Sequence, residues 1–186
     1  MGTNRQLLPC QLGRSVHDKK SKKHKLELFR SLPDFRSPSG ELRLFQESLA
    51  KNMKKNQHLH YERFLVAAGE DLHQVPSGSV DAVVCTLVLC SVQSVSSTLR
   101  EVLRVLRPGG AFYFLEHVAA EHSSWKYFWQ QVCFPTWKLV FAGCCLTREL
   151  WKNLEEAKFS ELKVQHISLA LPWTPIEPHI VGYGVK

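Results

Sequence analysis

At 186 residues the chain is of single-domain length, and 44% hydrophobic residues are enough for a buried core. Its formal net charge of +7 is uneven: residues 1–63 carry 14 Lys/Arg against 6 Asp/Glu, and residues 64–186 carry 10 against 11. The longest apolar run, Ala82–Leu89, is far short of a membrane span, and none of the cysteines (10, 85, 90, 133, 144 and 145) has CxxC spacing. These features argue against a helical membrane domain, a zinc ribbon and a secreted disulfide scaffold. They predict reduced thiols that act as small core residues, and no bound metal.

In chain order, "MGTNRQLLPC" has no long apolar stretch behind it, so no signal peptide is predicted. It matches a myristoylation start only in part, because Gln6 stands where Ser or Thr belongs. Residues 1–25 lack hydrophobic periodicity and read as a basic segment without fixed structure, with "DKKSKKHK" (18–25) as a solvated arm. Such a run also suits nucleic acid or an anionic membrane surface. Residues 26–186 are the candidate folded domain. "LELFRSLPDF" predicts one or two helical turns stopped by Pro33, and "SPSG" (37–40) predicts a turn. "ELRLFQESLAKNMKKN" spaces Leu42, Phe45, Leu49 and Met53 for an amphipathic helix. "YERFLVAAGEDL" predicts a strand at Phe64–Ala67 that runs into a loop at Gly69.

The middle carries the clearest pattern. "VDAVVCTLVLCSV" begins as a continuous apolar strand of the kind buried on both faces of a parallel sheet. "STLREVLRVL" places Leu99, Val102, Leu103 and Leu106 on one helical face, with Thr98 and Glu101 at capping-box spacing. Pro108-Gly109 stops this helix, and "GAFYFLEH" is the next strand, so the segment is a βαβ unit. "SSWKYFWQQVCFPTWKLVF" predicts a helix interrupted at Pro135. Its spacing assigns Trp125, Phe128, Trp129, Phe134 and Trp137 to the core, ahead of an apolar substrate pocket or a membrane-facing surface. "LTRELWKNLEEAKF" is a helix with Leu150, Trp151, Leu154 and Ala157 inward, and "LKVQHISLAL" and "PHIVGYGVK" are strands. Alternating helices and strands predict an α/β fold with a mostly parallel sheet and helices on both faces.

"AAGEDLHQVPSGSVDAVVCTLVLCSV" followed by "LREVLRVLRPGGAFYFLEHV" resembles the second half of a class I S-adenosylmethionine-dependent methyltransferase. "FYFLEHVAAEHSSWKYFWQQV", "GCCLTRELWKNLE" and "PHIVGYGVK" are similar to the methyltransferase-like protein seven group, the alkyl thiol methyltransferases. The resemblance implies an incomplete Rossmann-like fold, S-adenosyl-L-methionine as cofactor and a small alkyl thiol as acceptor. It also implies a place at the endoplasmic reticulum membrane or lipid droplets, or in the cytoplasm if the family's N-terminal hydrophobic anchor, missing here, is decisive. In such folds the cofactor lies at the carboxyl ends of the strands, beside the sheet's switch point. The family's Glu/Asp-x-Gly-x-Gly-x-Gly loop and its ribose-binding acid are missing here: "SGELRL" (39–44) passes directly into "FQESLAKN". The shortened form is therefore expected to be weak or inactive and to leave an unpaired strand edge.

By resemblance, Gly69, Glu70 and Asp71 follow the strand that approaches the adenine, and Thr86 and Leu87 pass beside the cofactor. Glu116 and His117 end the next strand at the edge where an acceptor pocket opens, and His117 is the candidate base for a thiol. Each has a plain alternative: a turn or capping acid, a buried strand, a structural histidine. The paired Cys144-Cys145 has two readings, metal or redox chemistry and plain packing, and packing is preferred. Two rival functions stand beside methyl transfer. One is a non-catalytic binding or regulatory module. The other is a basic binder of anionic surfaces, RNA or membrane; the methyltransferase reading itself implies no specific nucleic acid partner.

Overall fold

The computed structural model describes residues 11–14, 25–31, 51, 54–55, 60–141, 143–169, 174 and 176–186. Seven strands form one sheet: β1 (Gln11–Arg14), β2 (Lys25–Ser31), β3 (His60–Ala67), β4 (Val80–Thr86), β5 (Leu106–His117), β6 (Glu161–Ser168) and β7 (Pro178–Val185). Their order is β3-β2-β1-β4-β5-β7-β6. The pairings β2/β3 and β4/β5 are parallel, and every pairing of β1 or β7 is antiparallel. Five strands thus share one direction while β1 and β7 oppose them, so the sheet is mostly parallel, as expected. The order 3-2-1-4-5 is that of doubly wound nucleotide-binding folds.

Two N-terminal expectations fail. Gln11–Arg14, read as part of an unstructured segment, is a strand that pairs with β2 on one side and β4 on the other. It occupies the central slot that would otherwise leave both neighbours with unpaired backbone groups. "LELFRS", read as helical, lies in β2, where parallel pairing to β3 from Leu26/Tyr61 to Ser31/Ala67 overrides local helix preference. Of the amphipathic segment 41–56, Lys51, Lys54 and Lys55 are helical; the rest, and the turn at 37–40, lie outside the described residues.

The core gathers around the βαβ unit. Helix α1 (Val95–Val105) buries Val95, Leu99, Val102 and Val105 against Val80 and Val83 of β4 and Phe112 and Phe114 of β5. Helix α3 (Leu150–Glu156) adds Leu150 and Leu154, and Ile180 of β7 closes the cluster. Each such side chain contributes about 1.5–3 kcal/mol by leaving water. The predicted capping box is not used. Ser94 is the N-cap, its Oγ accepting from Ser97 N at 3.2 Å, because the helix begins at Val95, which is itself buried. Glu101 instead accepts from Leu72 N and from Arg104, whose guanidinium also donates to the carbonyls of Leu72 and Val75. The strand after α1 starts at Leu106, earlier than expected, and Gly109 (φ +74°) makes the turn within it. The far edge depends on Gly182, where a Cβ would collide with the Lys163 carbonyl of β6.

Helix α2 (Trp125–Val140) runs through Pro135 without interruption. Pro135 and Gln131, whose carbonyl loses its partner to the proline ring, both face solvent, where water can replace the missing bond. The core assignment also fails on this helix. Trp125, Phe128, Trp129, Val132, Leu139 and Val140 are exposed, Trp125 at 67% and Leu139 at 82%. Phe134 and Trp137 are half-buried.

Candidate functional site

The carboxyl edge of the sheet splits the predicted site residues into two groups. The first follows β3. Gly69 packs so closely on α1 that an added Cβ would lie 3.1 Å from Thr98. The Glu70 carboxylate accepts from Gln93 N (2.7 Å) and Ser94 N (3.0 Å), holding the entry to α1. Asp71 accepts from His73 through both its backbone N–H and its imidazole, and that side chain holds the Asp71 carboxyl below its usual range. The acids expected near the cofactor are thus engaged as a cap and a turn.

The second group gathers the ends of β4 and β5. Thr86 ends β4, and Leu87 turns the chain with φ +56°, its N–H donating to Leu115 O at 2.9 Å. A leucine in the left-handed region costs about 1–2 kcal/mol, which the surrounding bonds must offset. Glu116 provides much of that offset. It is fully buried, and its carboxylate accepts from Val88 N (2.9 Å), Cys90 N (3.4 Å) and the Cys85 thiol (3.3 Å). Burial, the largest influence, pushes the Glu116 carboxyl up, while those donors oppose it. Arg148 donates to Leu89 O (2.7 Å) and Val92 O (2.6 Å), so the loop after β4 is clamped from both sides.

This loop delivers Cys90 to a buried cluster. Cys144 Sγ lies 3.3 Å from Cys90 Sγ and 3.5 Å from His117 Nδ1. Cys145 N donates to Cys90 O at 2.8 Å, which fastens the two cysteine segments together. His117 faces His179 directly across the β5/β7 ladder, with ring centroids 4.6 Å apart. His179 Nδ1 lies 3.0 Å from Glu177 O, so it is the protonated nitrogen. Gln130 of α2 is fully buried, accepts from Ala120 N and donates to Val118 O, and so ties the helix to the end of β5.

The two thiols are not equivalent. The Cys144 pKa is lowered to about 5, first by a hydrogen bond from Cys90 and then by His117 and the indole N–H of Trp137. The Cys90 thiol is raised, because it supplies that proton and is buried near Glu116. The Trp137 N–H, otherwise buried without a hydrogen-bond acceptor, therefore faces developing negative charge at Cys144. The packing role expected of Cys144 understates this arrangement.

Of the expected site residues, the structure brings His117, Glu116 and the loop after Leu87 together, and leaves Gly69–Asp71 apart at α1. His117 contacts Cys144 within the buried cluster rather than standing alone at a pocket mouth. Sequence reading does not single out Cys90, His179, Gln130 or Arg148, and it prefers packing to metal or redox chemistry for Cys144.

Comparison with known proteins adds the following. A family model described as a methyltransferase domain matches residues 42–114. The human thiol S-methyltransferase TMT1A is 51% identical over 199 residues, covering 92% of this chain and 82% of the relative. That alignment has more positions than the chain has residues, so the relative carries residues without counterparts here. The human thiol S-methyltransferase TMT1B is 57% identical over 76% of this chain and 58% of its own length. Among solved structures, a SAM-dependent methyltransferase from Methanosarcina mazei superposes with TM-score 0.61 at 21% identity, covering 86% of this chain and 82% of that one. At that identity the likeness concerns the fold.

Proposed function

From the premise that the chain belongs to the thiol S-methyltransferase family of class I S-adenosylmethionine-dependent methyltransferases, we propose that it is a shortened form in which cofactor binding and methyl transfer to a small alkyl thiol are weak or lost. The observation that carries this reading is β1. The slot beside β4 is filled by a four-residue strand running against β2 and β4. The residues after a reversed strand leave at the amino edge of its parallel neighbours. No glycine loop can then follow it at the carboxyl edge, where doubly wound folds hold their ligand. Glu70 and Asp71, the acids expected near the adenine, already have partners. The described residues therefore do not fit S-adenosyl-L-methionine as the family is expected to hold it. Several polar contacts at about 1–3 kcal/mol each separate tight from negligible binding.

The test is titration calorimetry of the folded chain with S-adenosyl-L-methionine. The expected result is no binding tighter than millimolar and no methylated thiol. Micromolar binding would overturn the reading and return the chain to the active members of its family. A folded chain that binds no cofactor but retains a specific partner would instead be a non-catalytic module.

A second reading concerns location, and α2 favours it. Trp125, Phe128, Trp129, Val132, Leu139 and Val140 share one exposed helical face, with Lys126 and Lys138 nearby. An aromatic face beside lysines suits the interface of a membrane or a lipid droplet, the places expected of the family. Among the described residues no helix is long and apolar enough to cross a membrane. Flotation with zwitterionic vesicles should be reduced by Trp125→Ser with Trp129→Ser. Binding only to anionic vesicles, lost steeply with salt, would favour the lysine-rich segment instead.

A further inference from the structure

Cys90, His117 and Cys144 come from three separate segments: the loop after β4, the end of β5 and the turn after α2. Their ligand atoms all lie within 4.8 Å of one another, and all three side chains are buried. Tetrahedral zinc binds thiolate at about 2.3 Å and imidazole at about 2.0–2.1 Å, which places pairs of donor atoms about 3.4–3.8 Å apart. The Cys144–His117 separation of 3.5 Å falls in that range, and the Cys90–Cys144 separation of 3.3 Å needs only a few tenths of an ångström of opening. Two buried thiols and an imidazole facing one point form a soft donor set, unlike the oxygen ligands preferred by magnesium or calcium.

The segments are also braced as metal ligands require. Glu116 and Arg148 hold the loop that bears Cys90, and Cys145 N to Cys90 O fixes the segment that bears Cys144. Groups that orient ligands count nearly as much as the ligands themselves.

We propose that Cys90, His117 and Cys144 bind a thiophilic divalent metal ion of zinc's class, with the fourth position open to the acceptor thiol. Three protein ligands and one open position are the pattern of reactive rather than purely structural zinc sites. A thiol entering the open position forms a sulfur–metal bond and releases its proton to solvent. The sulfur keeps the electron pair as a thiolate, and nothing is oxidised or reduced. The identity of the fourth ligand rests on the thiol acceptor in the family reading above; the metal site does not.

Cobalt(II) is the probe, because tetrahedral thiolate-bound cobalt has visible and charge-transfer absorption. The full chain, purified under reducing conditions, should bind cobalt stoichiometrically with thiolate charge-transfer bands. Zinc should displace it. Cys90→Ser and Cys144→Ser should each lose stoichiometric binding, and Cys145→Ser and Cys133→Ser should keep it. If a serine variant fails to fold, alkylation mapping of the wild-type chain replaces it: metal should protect Cys90 and Cys144 and leave Cys133 reactive. A small alkyl thiol should then shift the cobalt spectrum. No stoichiometric binding by folded, reduced protein, or binding unaffected by both serine variants, overturns the proposal, as does isolation of a metal-free Cys90–Cys144 disulfide. Bound cobalt indifferent to the thiol overturns the open-position assignment. Failure of the thiol methylation assay alone bears on the family activity and leaves the spectroscopic outcome intact.

Discussion

The two halves of the sheet obey different rules. From β4 to β7 each strand is anchored by a named layer: α1 and α3 pack on β5 and β6, and Phe112, Phe114, Leu150, Leu154 and Ile180 share one core. From β1 to β3 the strands are joined by ladder pairing, Leu65 and Ala67 of β3 pack against the same core, and a four-residue reversed strand bridges β2 and β4. One half repeats an ordinary doubly wound design. The other satisfies backbone hydrogen bonds in the same slot with an unrelated segment. Completing a sheet needs only an available edge, whereas a ligand loop needs the right strand direction. A fold can therefore stay complete where the strand direction that a ligand loop needs is lost.

The sharpest test of this contrast is truncation on each side of it. Phe112→Ala removes a fully buried ring from the β4–β7 core and should cost about 3–5 kcal/mol. Leu65→Ala in β3, where the side chain is only partly buried, should cost less than half as much by urea denaturation. Equal costs would show that Leu65, at the margin of the shared core, is held as firmly as Phe112.

Glu116→Ala probes the clamp between core and site. It strands Val88 N and Cys90 N, at about 1–3 kcal/mol for each buried donor left unpaired. The wild-type carboxyl also carries a pH signature. Its folded pKa lies above the ordinary 4.5, so between those two values the folded chain binds more protons than the unfolded chain. Stability should fall as pH rises through that window, and Glu116→Gln should flatten the slope. Urea midpoints across pH read this directly. A wild-type slope of the opposite sign would contradict the burial-driven shift.

The smallest effects separate Glu70 from Asp71. Glu70→Ala removes the acceptor for Gln93 N and Ser94 N and should cost about 1 kcal/mol, as loss of a helix cap does. Asp71→Ala touches only the exposed His73 turn and should leave the unfolding midpoint in place. If cofactor binding is detectable and Asp71→Ala abolishes it, Asp71 belongs to the cofactor site and its assignment to a plain turn is overturned.

Much of the fold was legible because its signals are local. The βαβ unit, α3 and the last two strands follow from apolar periodicity and Pro/Gly punctuation, although β5 starts four residues early and α3 is only Leu150–Glu156. The misses share one cause. β1 and β2 read as coil or helix because pairing with distant strands, not local propensity, decides them. The aromatic residues of α2 were assigned inward because periodicity reveals a face without revealing what covers it. The candidate site was less legible. Cys90, His117 and Cys144 are spread over more than fifty residues, and nothing in their spacing announces a cluster.

By itself, the sequence determined the family, the missing glycine loop and the elements of the β4–β7 half, since each is written in short-range order and composition. Only the tertiary structure decided what fills the empty slot, how Glu116 shapes the loop after β4, and that two cysteines and a histidine meet. Those outcomes depend on which distant segments can satisfy one another's backbone groups and charges.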